Sequence, residues 1–387
     1  LVQPDEYEAI FAEDRARITR RDGTLTSTLE IIVSSEDDVE IRRLSLANGG
    51  TRTREIEVTS YSEITLASQA ADAAHPAFSN LFIETEYIGS VTAVVASRRP
   101  RSAEDARLWF AHVLSCEDSD SAGGVEYETD RGRFIGRGRS LASPLSVMDG
   151  RPLSNTVGPV LDPVASIRRR IRIPPGTTVH LAFSTMAAKS REEILNLADK
   201  YHDCASFERA STLAWTHAQV QLHYLGIGTE EAHLFQRLAS RILYIDPSLR
   251  PSSEILQRNK LPVTGLWAHR ISGDLPIVLV RIDDADDQGL LRQLLRAHEY
   301  WRLRHLAVDL VILNEKPTSY AQDLHVHLEN LVRACRSGPE DARGEIFLLR
   351  ADLLSEQDRL LLQTAARAIL TNRQGSLSEQ VTRVRRP

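Results

Sequence analysis

The sequence holds no run of about 18 uninterrupted apolar residues, the length a membrane-spanning helix requires, so nothing in it reads as a bilayer span. It has three cysteines, Cys116, Cys204 and Cys335, far apart and without a C-x-x-C pair. An odd number at such spacing reads as reduced thiols and argues against a disulfide framework or a structural zinc. G-x-G-x-x-G, the Walker P-loop, H-E-x-x-H and G-x-S-x-G are all missing, which removes the nucleotide-cradling, zinc-protease and serine-hydrolase mechanisms those motifs serve. A net charge of −6 gives no general attraction to nucleic acid or anionic lipid. No repeat recurs at a fixed period, and no low-complexity segment stands out. The opening LVQPDEYEAIF is acidic, lacks the basic and apolar regions of a signal peptide and carries no initiator Met, so the chain is expected to begin inside a longer protein.

What is present is ordinary globular material, 42% hydrophobic and 26% charged. A chain of 387 residues predicts two or three domains. Up to about residue 185 the pattern is β. ARITRRDG meets TLTSTLEIIVS across Asp22-Gly23, a hairpin signal. VEIRRLSLAN ends in the turn Asn48-Gly49-Gly50, and REIEVTSYSEITLA, LFIETEYI, SVTAVVASRR, RLWFAHVLSC, GVEYETDRGRFIG, SIRRRIRIPPG and TVHLAFSTMA continue the series. Such spacing predicts a large antiparallel β-sandwich over residues 1–188, expected to lack its first strands, with a hairpin-like return at Pro174-Pro175-Gly176.

At Ser190 the period changes to that of a helix. SREEILNLADKYHD carries a capping-box pattern from Ser190 to Glu193, and two more helical stretches follow, the second offering Thr229 as its cap. Residues 189–259 are thus expected to form a helical linker. Residues 260–375 alternate apolar strands (LPIVLVRI, VDLVILNE, EIFLLRAD) with amphipathic helices, the last opened by Ser355, which predicts a small parallel or mixed α/β layer. Residues 376–387 read as a polar tail.

Candidate chemistry sits in two stretches. In the first, Asp72, His75 and Phe78 lie between strands, with His75 forced toward extended backbone by Pro76. They fit either a tightly hydrogen-bonded corner or the edge of a sugar site, where carboxylates and aromatic faces are the usual tools. Glu84 and Glu86, two apart on a strand, share a face, which suits a glycosidic acid–base pair or a solvated sheet surface. The second stretch, GLWAHRISGDLPIVLV, places Trp267, His269, Ser272 and Asp274 before a buried strand, as a functional loop or as a docking loop for the layer. GRFIGRGR is expected as strand and loop with no helix behind it, which argues against an anion cradle. Arg168, Arg170 and Arg172 share a strand face and point to ion pairs with strand glutamates, not to nucleic acid. His325 and His327, two apart on a helix, are expected at the surface.

REIEVTSYSEITLASQAADAAHPAFSNLFIETEY, RPLSNTVGPVLDPVASIRRRIRIPPG, LADKYHD, LWAHRISGDLPIVLVRI and AVDLVILNEKPTSYAQDL together resemble glycoside hydrolase family 94, formerly glycosyltransferase family 36, as in the C-terminal region of cyclic β-1,2-glucan synthases and in long β-1,2-oligoglucan phosphorylases. The resemblance implies a β-sandwich, linker helices and an (α/α)6 barrel that performs inverting phosphorolysis with one Asp as general acid and inorganic phosphate as co-substrate. It implies no other cofactor and no metal. The barrel needs more helices than this pattern supplies, so no catalytic residue carries over. The chain is expected to be a non-catalytic, carbohydrate-associated portion, inactive alone, of a glucan synthase-like parent, with part of a stand-alone phosphorylase and a purely architectural module as alternatives. Substrate contact falls to Asp72, His75, Phe78, Glu84, Trp267, His269 and Asp274. Expected partners are a β-glucan oligosaccharide, the rest of the parent polypeptide and a second copy in a homodimer, with no nucleic acid. The expected location is a cytoplasmic domain of an inner-membrane parent. Arg270 stands where the family commonly has Gly, which puts close backbone approach in doubt there.

Overall fold

The computed structural model describes residues 3–100, 107–116, 121–283, 289–316, 321–335 and 344–383. The chain divides into two compact units, Leu1–Ala218 and Gln219–Pro387. The expected linker is therefore shared between them. No described helix is long and apolar enough to cross a membrane, and an (α/α)6 barrel is absent among the described residues.

The first unit runs β1 (Glu6–Phe11), β2 (Ala16–Asp22), β3 (Leu25–Val33), β4 (Val39–Asn48), β5 (Arg54–Thr59), β6 (Ser62–Glu63), α1 (Gln69–Ala74), α2 (Pro76–Asn80), β7 (Ile83–Ile88), β8 (Ala93–Arg98) and β9 (Trp109–Cys116). It continues β10 (Ser121–Asp130), α3 (Arg131–Ile135), α4 (Leu145–Met148), β11 (Gly158–Pro159), β12 (Pro163–Ile173), β13 (Thr178–Ala188), α5 (Arg191–His202) and α6 (Ser206–Leu225), the last spanning the division between units. A nine-stranded antiparallel sheet has the order β1-β2-β3-β4-β13-β9-β8-β7-β11, and a smaller sheet has the order β10-β12-β5 with β6 also on β12. The Asp-Gly hairpin forms as read: Asp22 pairs with Leu25, and Gly23 takes a φ of +61° that a side chain would resist.

The large sheet is covered on both faces at its central strands. Toward the small sheet it sends Val94, Ala96, Phe110, Leu114, Leu181 and Phe183, which pack on Ile167, Ile171 and Ile173 of β12. Its other face sends Ala93, Val95, Ala111, Val113 and Met186 against Ile194, Ala198 and Tyr201 of α5 and Phe207 and Ala210 of α6. Period-2 alternation explains the split, and double burial explains why β8 and β9 read as nearly continuous apolar runs. Pro174-Pro175-Gly176 does not close a hairpin: it carries the chain from β12 in the small sheet to β13 in the large one. Buried Asn48 fastens that crossing, its amide donating to Arg52 O (2.8 Å) and Ile173 O (3.0 Å). Ser190 caps α5 through Glu193 N–H (3.1 Å), but the Glu193 carboxylate reaches Lys189 N–H (3.2 Å) instead of completing the box.

One polar bridge crosses the sandwich interior, and a second closes over the outer face of the small sheet. His112 on β9 lies between Thr185 Oγ1 (2.9 Å, at Nδ1) and Ser60 Oγ (2.8 Å, at Nε2), with its ring stacked on Phe183. The Ser60 hydroxyl donates to Ile167 O (3.2 Å) and accepts from Ile167 N (3.0 Å), so the hydrogen on the imidazole belongs on Nε2, with Thr185 donating to Nδ1. Burial, followed by the charge of Arg42, pushes His112 down to about 4. Arg168 on β12 is buried and spends its guanidinium on Thr59 Oγ1 (3.0 Å), Arg151 O (3.0 Å), Glu126 (3.4 Å) and Ser146 O. Arg170 and Arg172 pair with Glu57 (3.4 Å) and Glu55 (2.9 Å), the ion pairs the sequence suggested.

The second unit contains α7 (Thr229–Leu243), α8 (Ser253–Arg258), β14 (Ile277–Ile282), α9 (Gly289–Leu303), β15 (Asp309–Asn314), α10 (Ala321–Cys335), β16 (Ile346–Arg350), α11 (Glu356–Ala365), β17 (Ala368–Thr371) and α12 (Leu377–Thr382). Its strands form a parallel sheet of order β16-β15-β14-β17. Val278, Val280, Leu310 and Ile312 pack with α7, α9 and α10, while Ile277, Leu279, Val311 and Leu313 pack with α11. Gly228, not Thr229, is the cap of α7, and Ser355 with Asp358 forms a full capping box on α11. Residues 377–382 are not a polar tail: α12 buries Leu377 and Val381 in the core beside α7.

Two stability predictions follow from the bridges. Unfolded chains take up a proton on His112 near pH 6.5 that the folded chain refuses until about pH 4. The unfolded state therefore binds more protons in that window, and stability falls as pH is lowered through it, by roughly 3 kcal/mol. Urea unfolding of wild type and His112→Gln on both sides of the window should show a shallower acid dependence in the variant. Arg168→Met should cost about 3 kcal/mol, because it strands Glu126 and two carbonyls that the guanidinium satisfies; the urea midpoint reads it.

Candidate functional site

The residues singled out by sequence fall in both units. In the first, the Asp72–Phe78 segment is not an irregular turn but two short helices, α1 and α2, meeting at His75. Ser68 caps α1 through Ala71 N–H (3.3 Å), and His75 takes φ −149° before Pro76, the extended geometry that proline imposes. Neither Asp72 nor His75 makes a side-chain hydrogen bond or ion pair with another described residue, so the tightly bonded corner does not form. Phe78 is 46% exposed and meets Phe82 edge-on, with ring centroids 5.2 Å apart.

Glu84 and Glu86 do share a face of β7, but each is neutralised at the surface. Glu84 pairs with Arg99 (3.3 Å), and Glu86 receives both Nε and Nη2 of Arg191 (3.3 and 3.1 Å). Acid–base chemistry on a glycosidic bond needs one carboxyl held protonated in a pocket, and this pair has neither the burial nor the pocket.

GRFIGRGR departs from the strand-and-loop expectation. Asp130 caps α3 through Gly132 N–H (2.7 Å) and Arg133 N–H (3.2 Å), so its carboxylate fills the end of the helix. Arg131 is spent on Glu63 (2.9 Å) and Asp162 (3.4 Å).

In the second unit, Trp267 and His269 sit on a 3-10 segment, Val263–His269, that leads into β14. The Trp267 indole N–H donates to Ser272 O (3.1 Å), which fixes the ring while 64% of the residue stays exposed. His269 is mostly buried, its Nε2 lying 3.6 Å from Asp358 Oδ1, beyond hydrogen-bond reach. Asp274 accepts nothing from its loop, but its backbone N–H binds Ser272 Oγ (3.2 Å). Its charge bears on Asp309, a residue the sequence reading passed over. Burial raises the Asp309 carboxyl above its ordinary range despite the hydrogen bond it accepts from Glu345 N–H (3.0 Å), and the charges of Glu345 and Asp274 add to the rise. A carboxylate opening the apolar run DLVILN was the available signal. Close approach is real at Gly265, where a Cβ would lie 2.8 Å from Leu361 Cδ2. Arg270 ends the segment in the left-handed region, φ +64°, the conformation a glycine would adopt without strain.

His327 is exposed, while His325 is half-buried 3.6 Å from Glu329, so the pair does not converge.

A cleft of about 590 Å³ in the first unit lies where the β3–β4 turn meets the α5–α6 corner, lined by Glu36, Lys200, Tyr201, His202, Asp203 and Arg209 among others. None of the sequence candidates lines it. Its lysine and arginine are already matched: Lys200 bonds Asp37 (2.6 Å), which also accepts from Tyr201 (2.7 Å), and Arg209 pairs with Glu36 (2.9 Å). Burial opposes the Asp37 charge, but these hydrogen bonds outweigh it and hold the carboxyl below its ordinary range.

Comparison with known proteins accords with this geometry. The family model described as glycosyl hydrolase 94, supersandwich domain, matches residues 1–204. The chain is 40% identical over 378 residues to the cyclic beta-(1,2)-glucan synthase NdvB of Rhizobium meliloti (strain 1021), covering 96% of this chain and 13% of that protein. It is 27% identical over 199 residues to the solabiose phosphorylase of Paenibacillus borealis, 51% of this chain and 24% of that one. A bacterial glucoamylase complexed with acarbose aligns over 55% of this chain and 28% of its own, with a TM-score of 0.33 and 9% identity, too slight to carry an argument.

Arg270→Gly should relieve the left-handed strain and stabilise the second unit by about 0.5–1 kcal/mol, the relief exceeding the entropy a glycine adds to the unfolded chain. Chemical denaturation followed by Trp fluorescence checks the sign.

Proposed function

The chain belongs to the glycosyl hydrolase 94 family through its supersandwich domain, and from that premise we propose that it is a non-catalytic, carbohydrate-associated portion of a cyclic β-1,2-glucan synthase-like protein. The observation that carries this reading is the 40% identity with the synthase across 96% of the chain, joined to the surface neutralisation of the sandwich's paired carboxylates. The chain spans 13% of that synthase, so the activity, glucan substrate and partners of a whole protein enter here as proposals. The sandwich would support or position a glucan-processing barrel elsewhere in the parent polypeptide. Inorganic phosphate would be the co-substrate of that barrel if the parent is a phosphorylase, and this portion would need no cofactor. A homodimer and a cytoplasmic position in an inner-membrane parent belong to the same proposal.

For sugar contact, Trp267 is the strongest support among the proposed residues. A pinned, exposed indole offers an apolar face to a pyranose ring without losing side-chain freedom on binding. His269 and Asp274 flank it, and Asp72, His75, Phe78 and Glu84 form a second proposed contact in the first unit. The likeness to solabiose phosphorylase favours a second reading, part of a stand-alone inverting phosphorylase, because it runs through half the chain.

Thermal unfolding of the chain with linear or cyclic β-1,2-glucans, with cellobiose as control, tests the proposal. A ligand that binds only the folded state raises Tm with occupancy. A rise specific to β-1,2-glucans, lost in Trp267→Ala, is the expected result. No shift at millimolar sugar would leave an architectural module.

A further inference from the structure

The second unit contains a site that the glucan reading does not use. Its strand order, β16-β15-β14-β17, means that the chain builds outward from β14 to β15 and β16 and then returns to lay β17 on the other side. The reversal falls between β14 and β17. In open parallel sheets the crevice beyond the carboxyl ends of the strands, at such a reversal, is where ligands bind, because the crossovers on either side diverge there.

A cleft of about 340 Å³ opens along β17 beside this reversal, running from Gln363 and Ile369 at the amino end of the strand to Gln374 and Arg383 past its carboxyl end. Arg281 comes from the carboxyl end of β14, where it pairs with Thr371 of β17. Arg250 comes from the 3-10 turn after α7, and Arg383 follows α12. Gln363 and Gln374 supply amides, the Gln380 amide being spent on Thr371 and the Gly375 carbonyl, and no carboxylate lines the cleft among the described residues. Arg281 is partly offset, donating Nε to Glu315 (2.9 Å). Arg250 and Arg383 enter no ion pair among the described residues and are instead held by carbonyls, Thr364 O (2.9 Å) and Gln374 O (3.1 Å). Those bonds aim each guanidinium while leaving its charge unmatched. Burial and the nearby charge of Arg367 both work against the Arg250 cation. Cations collected in a concave site without a counter-charge are the arrangement that recognises oxyanions, through forked N–H donors.

We propose that this cleft binds a phosphate-type oxyanion, held by Arg250 and Arg383 with Arg281 at its base. Glutamine amides on the wall suit a phosphate monoester carrying a polar group, and free inorganic phosphate shares the same chemistry.

Isothermal titration of the full chain with inorganic phosphate and with a hexose 6-phosphate, with chloride at matched ionic strength as control, tests the proposal. Saturable binding of one or both is expected, and the tighter of the two identifies the source. Gln374→Glu sets a carboxylate of the same shape at an exposed position among the arginines, so it should weaken binding at least tenfold while leaving the unliganded Tm unchanged or raised. Arg383→Gln should weaken binding in the same direction, and its unliganded Tm checks that the fold is kept. The proposal is overturned if neither phosphate species binds saturably, or if binding survives in Gln374→Glu.

Discussion

Much of the first unit depends on one constraint: the central strands β8 and β9 of the nine-stranded sheet are buried on both faces, so a polar group on them must find its partner inside protein. His112 is the sharpest case. It lies on the face of β9 that meets the small sheet, and the two hydroxyls that bracket it come from β13 of the large sheet and from the connection between β5 and β6 on the small-sheet side. Packing alone lets two apolar sheets slide, whereas an imidazole that must reach Thr185 and Ser60 together admits one register. Arg168 does the same for the excursion between β10 and β12, because four acceptors from separate segments converge on one guanidinium.

On the outer face the same logic attaches the helices. Buried Glu30 accepts from Arg17 (3.1 Å) and Arg43 (2.6 Å). Burial works against its charge, but those hydrogen bonds prevail and hold the carboxyl below its ordinary range. Arg43 also pairs with Glu208 and lies over the Phe207 ring, 3.8 Å from its centroid, and Arg15 reaches Ser211 (2.8 Å). The start of α6 is therefore fastened by charge as well as by apolar contact.

Much of the architecture was legible because periodicity reports burial directly. The Asp22-Gly23 hairpin, the switch to helix at Ser190 and the α/β layer each follow from local pattern. What failed to show in sequence was set at long range. Whether Pro174-Pro175-Gly176 returns to the same sheet or crosses to another depends on Asn48, more than a hundred residues away along the chain. GRFIGRGR reads as loop because its cap, Asp130, belongs by pattern to the preceding strand. Leu377 and Val381 are too few to mark α12 as core without the sheet they pack on. The candidate site was less legible than the fold. Glu84 and Glu86 share a face as spacing demands, yet the arginines that neutralise them come from elsewhere in the chain. Arg250 drew no notice because its meaning lies in the carboxylate it lacks, which no residue pattern displays.

The strand β1 has a consequence of another kind. It ends the large sheet, every one of its residues is exposed, and Tyr7 and Phe11 stand open on one face. Such a strand is a template for addition of another. Its sequence, EYEAIF, also carries the restraint. Two copies pairing parallel and in register would set Glu8 against Glu8, and like charges directly opposed across a ladder repel, whereas Glu6 is already paired with Arg21. Parallel pairing of one copy's β1 with another's is thus opposed at Glu8 by the strand's own charge.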